Sequence, residues 1–253
     1  MFNCLNAGYW GFTSQLFGNV PEADKVLTYA ASCGSTRYDE LPVKVAEQIR
    51  ETFRKVSAFS VRDQNTHEFV AKLSDRPIND HLDPVLIYNF DREVEDADLP
   101  VLPQHFCVVY SYYNRIHTTE EIHAIKSFCK AHQLTPVAIG APQFWLKDYI
   151  VCSPFQCLKI FRQADFVITD TFHGTIFSAK YAKRFAILAR ASNKNKLLDL
   201  VKRIGVEDHL LSNLNELEAV CDLEHDKESF RRIIEAEKKK SEEYLEQNIN
   251  GAK

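Results

Sequence analysis

Apolar positions along this chain alternate between two spacings, and the alternation outlines strands followed by helices. Residues 26–31, 57–61, 105–110, 135–139, 166–169 and 185–189 are short runs rich in β-branched and aromatic side chains. Each is bounded by charged or turn-forming residues, which predicts strands. Over 42–55, 65–73, 118–132, 154–162 and 194–204 the apolar residues recur every three or four positions, which predicts amphipathic helices. Residues 226–247 predict a long terminal helix with Phe230, Ile233, Ile234, Tyr244 and Leu245 on one face and charge on the other. Residues 85–88 predict a strand or a short turn. Residues 91–100 are acidic, poor in large apolar groups and end at Pro100, so they read as a linker or as a solvated loop within one domain.

Strands alternating with helices imply a parallel, doubly wound sheet covered on both faces. The acidic stretch suggests a division into a partial N-terminal α/β domain over 1–98 and a C-terminal Rossmann-like domain over 99–253 that ends in the long helix. Open parallel sheets bind ligands outside the carboxyl ends of their strands. Here those ends are 111–115, 140–143, 170–174 and 190–195, which carry Tyr112, Asn114, Arg115, Gln143, His173, Arg190 and Asn193.

The sharpest change of period lies at 164–180. A buried strand over 164–169 gives way at Asp170 and Thr171, two side chains able to cap a helix. Phe172, Ile176, Phe177 and Ala179 then follow at helical spacing. His173 and Gly174 therefore fall in the first helical turn, where unpaired N–H groups and the positive dipole end favour an anion. Gly174 permits close backbone approach, and an imidazole can donate to a phosphate or move a proton. The plainer reading is a histidine that caps its own helix or fills a crevice.

The string D-T-F-H-G-T over 170–175 resembles the signature of the polysaccharide pyruvyl transferase family, a strand followed by T-D-(R/S)-(F/L)-H-G and a helix. Four further blocks occur in that family's order. Tyr29, Ala30, Ala31, Ser32, Cys33 and Gly34 resemble its Y-A-A-S-F-G turn; Ser60, Val61, Arg62 and Asp63 resemble its S-V-R-(E/D) strand end. Leu82, Asp83, Pro84, Val85 and Leu86 resemble its D-P-T-L-L element, and Ser241, Tyr244 and Leu245 its closing S-x-x-(Y/F)-L helix. The resemblance implies two Rossmann-like parallel-sheet domains in a glycosyltransferase-B-like arrangement, the first incomplete, with the site between them. It implies transfer of a pyruvyl group from phosphoenolpyruvate, without a further cofactor, to a sugar or lipid-linked saccharide of a cell-surface polysaccharide precursor. His173 and Arg62 would then be catalytic, with Thr171, Phe172, Gly174, Arg115, Arg190 and Asn193 binding substrate. Without the resemblance, Arg62 reads equally as an ion pair with Asp63 or a capping contact.

Composition narrows the alternatives. Hydrophobic content of 45% and charged content of 26% are those of an ordinary globular protein. A formal charge of −4 argues against general nucleic-acid binding. No apolar run reaches the ~18 residues of a membrane span, and residues 1–8 do not read as a secretory signal. Seven cysteines, Cys4, Cys33, Cys107, Cys129, Cys152, Cys157 and Cys221, show no paired Cys-x-x-Cys spacing. They suggest reduced, partly buried thiols in a cytoplasm and no metal site.

Two departures from the family pattern bear on activity. Thr171 stands where many members carry arginine, a cation that Arg190, Lys194 or Lys196 could replace. The family's opening strand and G-N-x-G-D turn have no counterpart before Tyr29, and Phe2 with Asn3 looks like the remnant of a W-N pair. A shortened member or a fragment, weak or inactive in transfer, is the expectation. Two other readings stay open: a nucleotide-sugar glycosyltransferase, and a catalytically silent remnant that binds a sugar or a partner chain. A triad of Ser178, His173 and Asp170 is disfavoured, because Ser178 falls on the buried face of a helix without a nucleophile elbow.

Overall fold

The computed structural model describes residue 2, residues 11–147 and residues 149–249; the expectations for Asn3 and Cys4 lie outside them. The fold is α/β with two sheets, both purely parallel. Contacts gather the chain into two compact units: Met1–Ile87 with Arg232–Lys253, and Tyr88–Arg231. The division falls after Ile87, where composition had suggested 98, and the terminal helix belongs to the first unit from Arg232 onward.

The first unit contains β1 (Val26–Leu27), α1 (Val43–Phe53), β2 (Val56–Val61), α2 (Gln64–Ala71), β3 (Ile78–Asp80) and α3 (Pro84–Ile87), with the strands in the order β1-β2-β3. Helix α1 buries Ala46, Ile49, Thr52 and Phe53, one stripe at helical spacing, against a core that includes Phe17, Phe59 and Phe69. Helix α2 starts where the Asp63 carboxylate accepts the Thr66 N–H at 2.9 Å. The strand expected over 26–31 stops after two residues because Ala30 takes φ 46°, and Ala31 rejoins Val61 only as an isolated bridge. At 84–87 the expected strand or turn is a helical turn: Asp83 Oδ1 accepts the Val85 N–H at 3.0 Å, and Pro84 pre-sets the helical φ.

The second unit contains α4 (Asp91–Asp96), β4 (Phe106–Tyr110), α5 (Thr119–Ala131), β5 (Thr135–Ile139), β6 (Tyr149–Ile150), α6 (Pro154–Gln163), β7 (Phe166–Thr169), α7 (Phe172–Tyr181), β8 (Phe185–Leu188), α8 (Lys194–Ile204) and β9 (Leu210–Leu211). The acidic stretch read as linker or loop forms α4. Its Val94 is buried, and Lys159 Nζ on α6 donates to the Glu95 and Ala97 carbonyls at 2.9 and 2.8 Å. These bonds satisfy acceptors that a helix end leaves open. The strand order is β6-β5-β4-β7-β8-β9. In order of appearance this is 3-2-1-4-5-6, the doubly wound order with its switch point between β4 and β7. Every residue of β7 and β8 is buried, as a strand covered by helices on both faces requires.

Helix α9 (Lys227–Ile249) follows. Within the first unit its Tyr244 hydroxyl donates to the Thr28 carbonyl at 2.8 Å, and its ring packs on His81 at 4.8 Å. Just before α9, in the second unit, lie two buried histidines. The His209 ring stacks on Phe185 at 3.9 Å, with its Nδ1 at 3.0 Å from the Phe185 carbonyl, and the His225 ring meets Phe185 edge-on at 5.6 Å. Burial lowers both pKa values, that of His225 to about 4, with His209 as a further cause. A histidine held neutral in the fold takes up its proton first in the unfolded chain. Its stabilisation is therefore complete above about pH 6.5 and is lost as pH falls toward about 4. Thermal unfolding followed from pH 7 to 4.5 should show a falling midpoint whose slope flattens in His225→Gln. Parallel slopes for parent and variant would assign the loss to other groups.

Candidate functional site

The site is built at the switch point of the second sheet. Thr169 closes β7 by donating its hydroxyl to the Tyr110 carbonyl at the end of β4, at 2.8 Å. The chain then turns at Asp170, and Thr171 becomes the N-cap of α7, its Oγ1 accepting the Gly174 N–H at 2.9 Å. Thr175 and Ser178 donate back to the Thr171 and Gly174 carbonyls at 3.0 and 2.8 Å. The polar groups that close α7 against β7 are thus paired locally.

Gly174 is the packing constraint of this turn. A Cβ there would lie 2.0 Å from Thr169 Oγ1, 2.7 Å from Thr171 Oγ1 and 2.8 Å from Tyr110 Cδ1. The first two atoms belong to the cap and to the strand seam, so neither can withdraw without breaking a hydrogen bond. Gly174→Ala is expected to destabilise the second unit by about 1–3 kcal/mol, the usual cost of overpacking. Chemical denaturation measures it, and an unchanged midpoint would show that the turn can open.

In front of this turn lies a cavity of about 180 Å³, lined by Tyr110, Ser111, Tyr112, Gly140, Ala141, Thr171 and His173. His173 is exposed at its wall. The ring lies edge-on to Phe172 at 5.6 Å and near-parallel to Phe177 at 6.1 Å. Gly140, with φ 83°, lets the β5 end pass close to Tyr110, where a Cβ would come within 2.7 Å of the ring.

Behind the cavity is a charged network centred on Asp170, which is 1% exposed. Its Oδ1 accepts the Ser111 hydroxyl at 2.7 Å and its Oδ2 accepts Arg190 Nε at 2.8 Å, with Arg115 Nε 3.6 Å from Oδ2. Arg190 also pairs with Glu121 from the first turn of α5, and its backbone N–H donates to Asn193 Oδ1 at 2.9 Å. Asn193 Nδ2 in turn donates to the Asp170 carbonyl at 2.8 Å. Arg115 Nη2 donates to Ser192 Oγ at 2.6 Å, and its guanidinium carbon lies 5.3 Å from the Tyr112 ring centre.

The structure thus brings His173 and Thr171 to the cavity, with Gly174 buried in the turn beside them and Arg115, Arg190 and Asn193 in the network around Asp170. Phe172 is half-buried beside the histidine. Arg190 is held by two carboxylates, and Lys194 is exposed on the first turn of α8. Gln143, grouped with the ligand-facing residues in the sequence, instead ties loops together. Its amide donates to the Tyr112 carbonyl at 2.9 Å and accepts the Ile116 N–H at 3.3 Å. Arg62 belongs to the first unit, at the end of β2, and pairs there with buried Asp83; Asp63 instead caps α2. Sequence reasoning missed Ser111, Glu121 and the central place of Asp170. The available signal was a carboxylate directly after a fully buried strand, where a capping role for Asp170 is the simpler expectation.

The six described cysteines form no disulfide. Among the described residues His132, Glu218 and Cys221 lie near enough to share a metal ion, with ligand atoms within 4.8 Å of one another. His132 follows α5, whereas Glu218 and Cys221 lie in and just after the 3-10 helical stretch Leu214–Val220, and none of the three lines the cavity. No described helix is long and apolar enough to cross a membrane.

The class is an α/β protein with a doubly wound parallel sheet, and its pocket and capped helix start lie at the switch point, where such sheets bind ligands. Residues 24–193 of the 253 match the family described as polysaccharide pyruvyl transferase, and the chain belongs to that family. No curated protein matches it. Among solved structures, a mutant O-GlcNAc transferase from Thermobaculum terrenum is similar with a TM-score of 0.44 and 13% identity. The match covers 79% of this chain and 44% of that one, so the chain spans less than half of that protein's length.

Proposed function

We propose that this chain carries the pocket of a polysaccharide pyruvyl transferase, which moves the three-carbon unit of phosphoenolpyruvate onto two hydroxyls of a sugar in a cell-surface polysaccharide precursor. The observation that carries the reading is His173 on the wall of a switch-point cavity, in the first turn of a helix whose start favours anions. The acceptor is a sugar or lipid-linked saccharide, the compartment the cytoplasm, and no further cofactor is needed.

The chemistry balances without an oxidant. A proton adds to the donor methylene, making it a methyl group, and a sugar oxygen bonds to the adjacent carbon as its own proton leaves. Phosphate then departs with its bridging oxygen, and the second hydroxyl closes the cyclic ketal, releasing another proton. Overall the two hydroxyl protons end on the methyl group and the phosphate. His173 is the proton carrier or the donor to the leaving phosphate, Thr171 and Gly174 shape the helix start, and Arg115, Arg190 and Asn193 are the proposed substrate-binding residues of the adjoining loops. Arg62 is the proposed anion contact of the first unit.

The experiment offers the chain phosphoenolpyruvate and, separately, a panel of nucleotide sugars, each with galactose- or N-acetylmannosamine-type acceptors. Phosphate release that needs both phosphoenolpyruvate and acceptor, and that falls in His173→Ala, is expected. Transfer from a nucleotide sugar would make the chain a glycosyltransferase. Saccharide binding without either reaction would make it a silent binding protein.

A further inference from the structure

We propose that Tyr112, Tyr113 and Phe144 form a stacking platform for a pyranose ring of the acceptor glycan. The inference rests on the transferase reading of the neighbouring pocket and names the subsite that reading leaves open. The three rings are 61%, 62% and 70% exposed, large apolar surfaces left in water on the loops that leave β4 and β5. Tyr112 also lines the cavity beside His173, so the platform is continuous with the pocket.

These loops are tied to each other. The Asn114 N–H donates to the Pro142 carbonyl at 3.1 Å, and the Phe144 N–H lies 3.5 Å from Asn114 Oδ1. The Gln143 amide, 2% exposed, bonds the Tyr112 carbonyl and the Ile116 N–H. Trp145 Nε1 adds a bond to the Ile116 carbonyl at 2.8 Å. Tyr113 and Phe144 meet edge to face, with centroids 5.3 Å apart and planes at 84°, an arrangement that leaves ring faces open. The aromatic surface is thus held in place before any ligand arrives, which lowers the ordering cost of binding.

The size and chemistry of the patch favour a sugar. Three rings exposed to about two thirds present roughly 300–500 Å². That is short of the ~800 Å² that each side of a stable protein interface buries. A pyranose has an apolar C–H face for a ring to cover and a rim of hydroxyls, and here the same loop that carries Tyr112 and Tyr113 continues with Asn114 and Arg115, which offer polar groups.

The test uses the full chain with Tyr113→Ala and Phe144→Ala. Binding of galactose- and N-acetylmannosamine-containing disaccharides is followed by saturation-transfer NMR and calorimetry, and phosphoenolpyruvate-dependent phosphate release is measured alongside. Each substitution is expected to weaken disaccharide binding, and to raise the acceptor KM, roughly tenfold, with the phosphoenolpyruvate KM unchanged. Thermal midpoints equal to the parent's check that both variants fold. Disaccharide binding that depends on the two rings supports the platform even if no donor is turned over, in which case only the transferase reading falls. Transfer with an unchanged acceptor KM in both variants overturns the platform and leaves that reading intact. The platform is also overturned if no disaccharide of the panel binds. It is overturned as well if the substitutions change only the sedimentation mass, which would make the patch a contact between copies of the chain.

Discussion

His173→Ala is expected to lower phosphoenolpyruvate-dependent phosphate release by about 10²–10⁴-fold, the usual worth of a positioned proton-transfer group. The residue is exposed in the first turn of α7, so its removal should leave the fold within about 0.5 kcal/mol of the parent. The loss should therefore appear in the rate while the thermal midpoint stays in place. His173→Gln separates the two roles open to the side chain. Glutamine can still donate to a phosphate but cannot carry a proton through the reaction. If glutamine restores most of the rate, His173 acts as an anion contact; if it is as poor as alanine, it moves the proton. An alanine variant that keeps its rate within about threefold would remove His173 from the chemistry altogether.

The turn that holds His173 was legible because its determinants are local. The buried strand Phe166–Thr169, the capping Thr171, the permissive Gly174 and the helical spacing after Phe172 all lie within a few residues. Helix α8 was equally plain: Leu197, Leu200, Val201 and Ile204 form one buried stripe, and Gly205 closes the helix at φ 69°. Strands β6 and β9 were not legible, since two residues carry no periodicity. Nor was α4, whose identity depends on Lys159 reaching its terminal carbonyls from more than sixty positions away. The same limit hid the role of Asp170. Its partners Ser111 and Arg190 lie 59 and 20 residues from it, and no local pattern announces such pairs. The family motif marked the position without saying what it touches.

Asp170→Ala is expected to destabilise the second unit by about 3 kcal/mol. Removing one partner of a buried ion pair typically costs about 3–5 kcal/mol, because the charge left behind keeps its desolvation without its compensation. The lower end applies here, since the guanidiniums of Arg115 and Arg190 are about a fifth exposed and can recover some hydration. Against that, Arg190 Nη2 is already buried without a protein partner, so the buried acceptor that stands unpartnered beside it, Glu121 Oε2, would face more donors than it can satisfy. Ser111 and Arg190 Nε would each lose their carboxylate oxygen, and only Glu121 would remain to balance two cations. In a domain of this size the change should lower the melting temperature by roughly 6–12 °C. Asp170→Asn keeps an oxygen that can accept from Ser111 or from Arg190 and should fall between parent and alanine. The reading fails if alanine melts with the parent, since the two arginines would then be satisfied by water and Asp170 would not be what holds them in place.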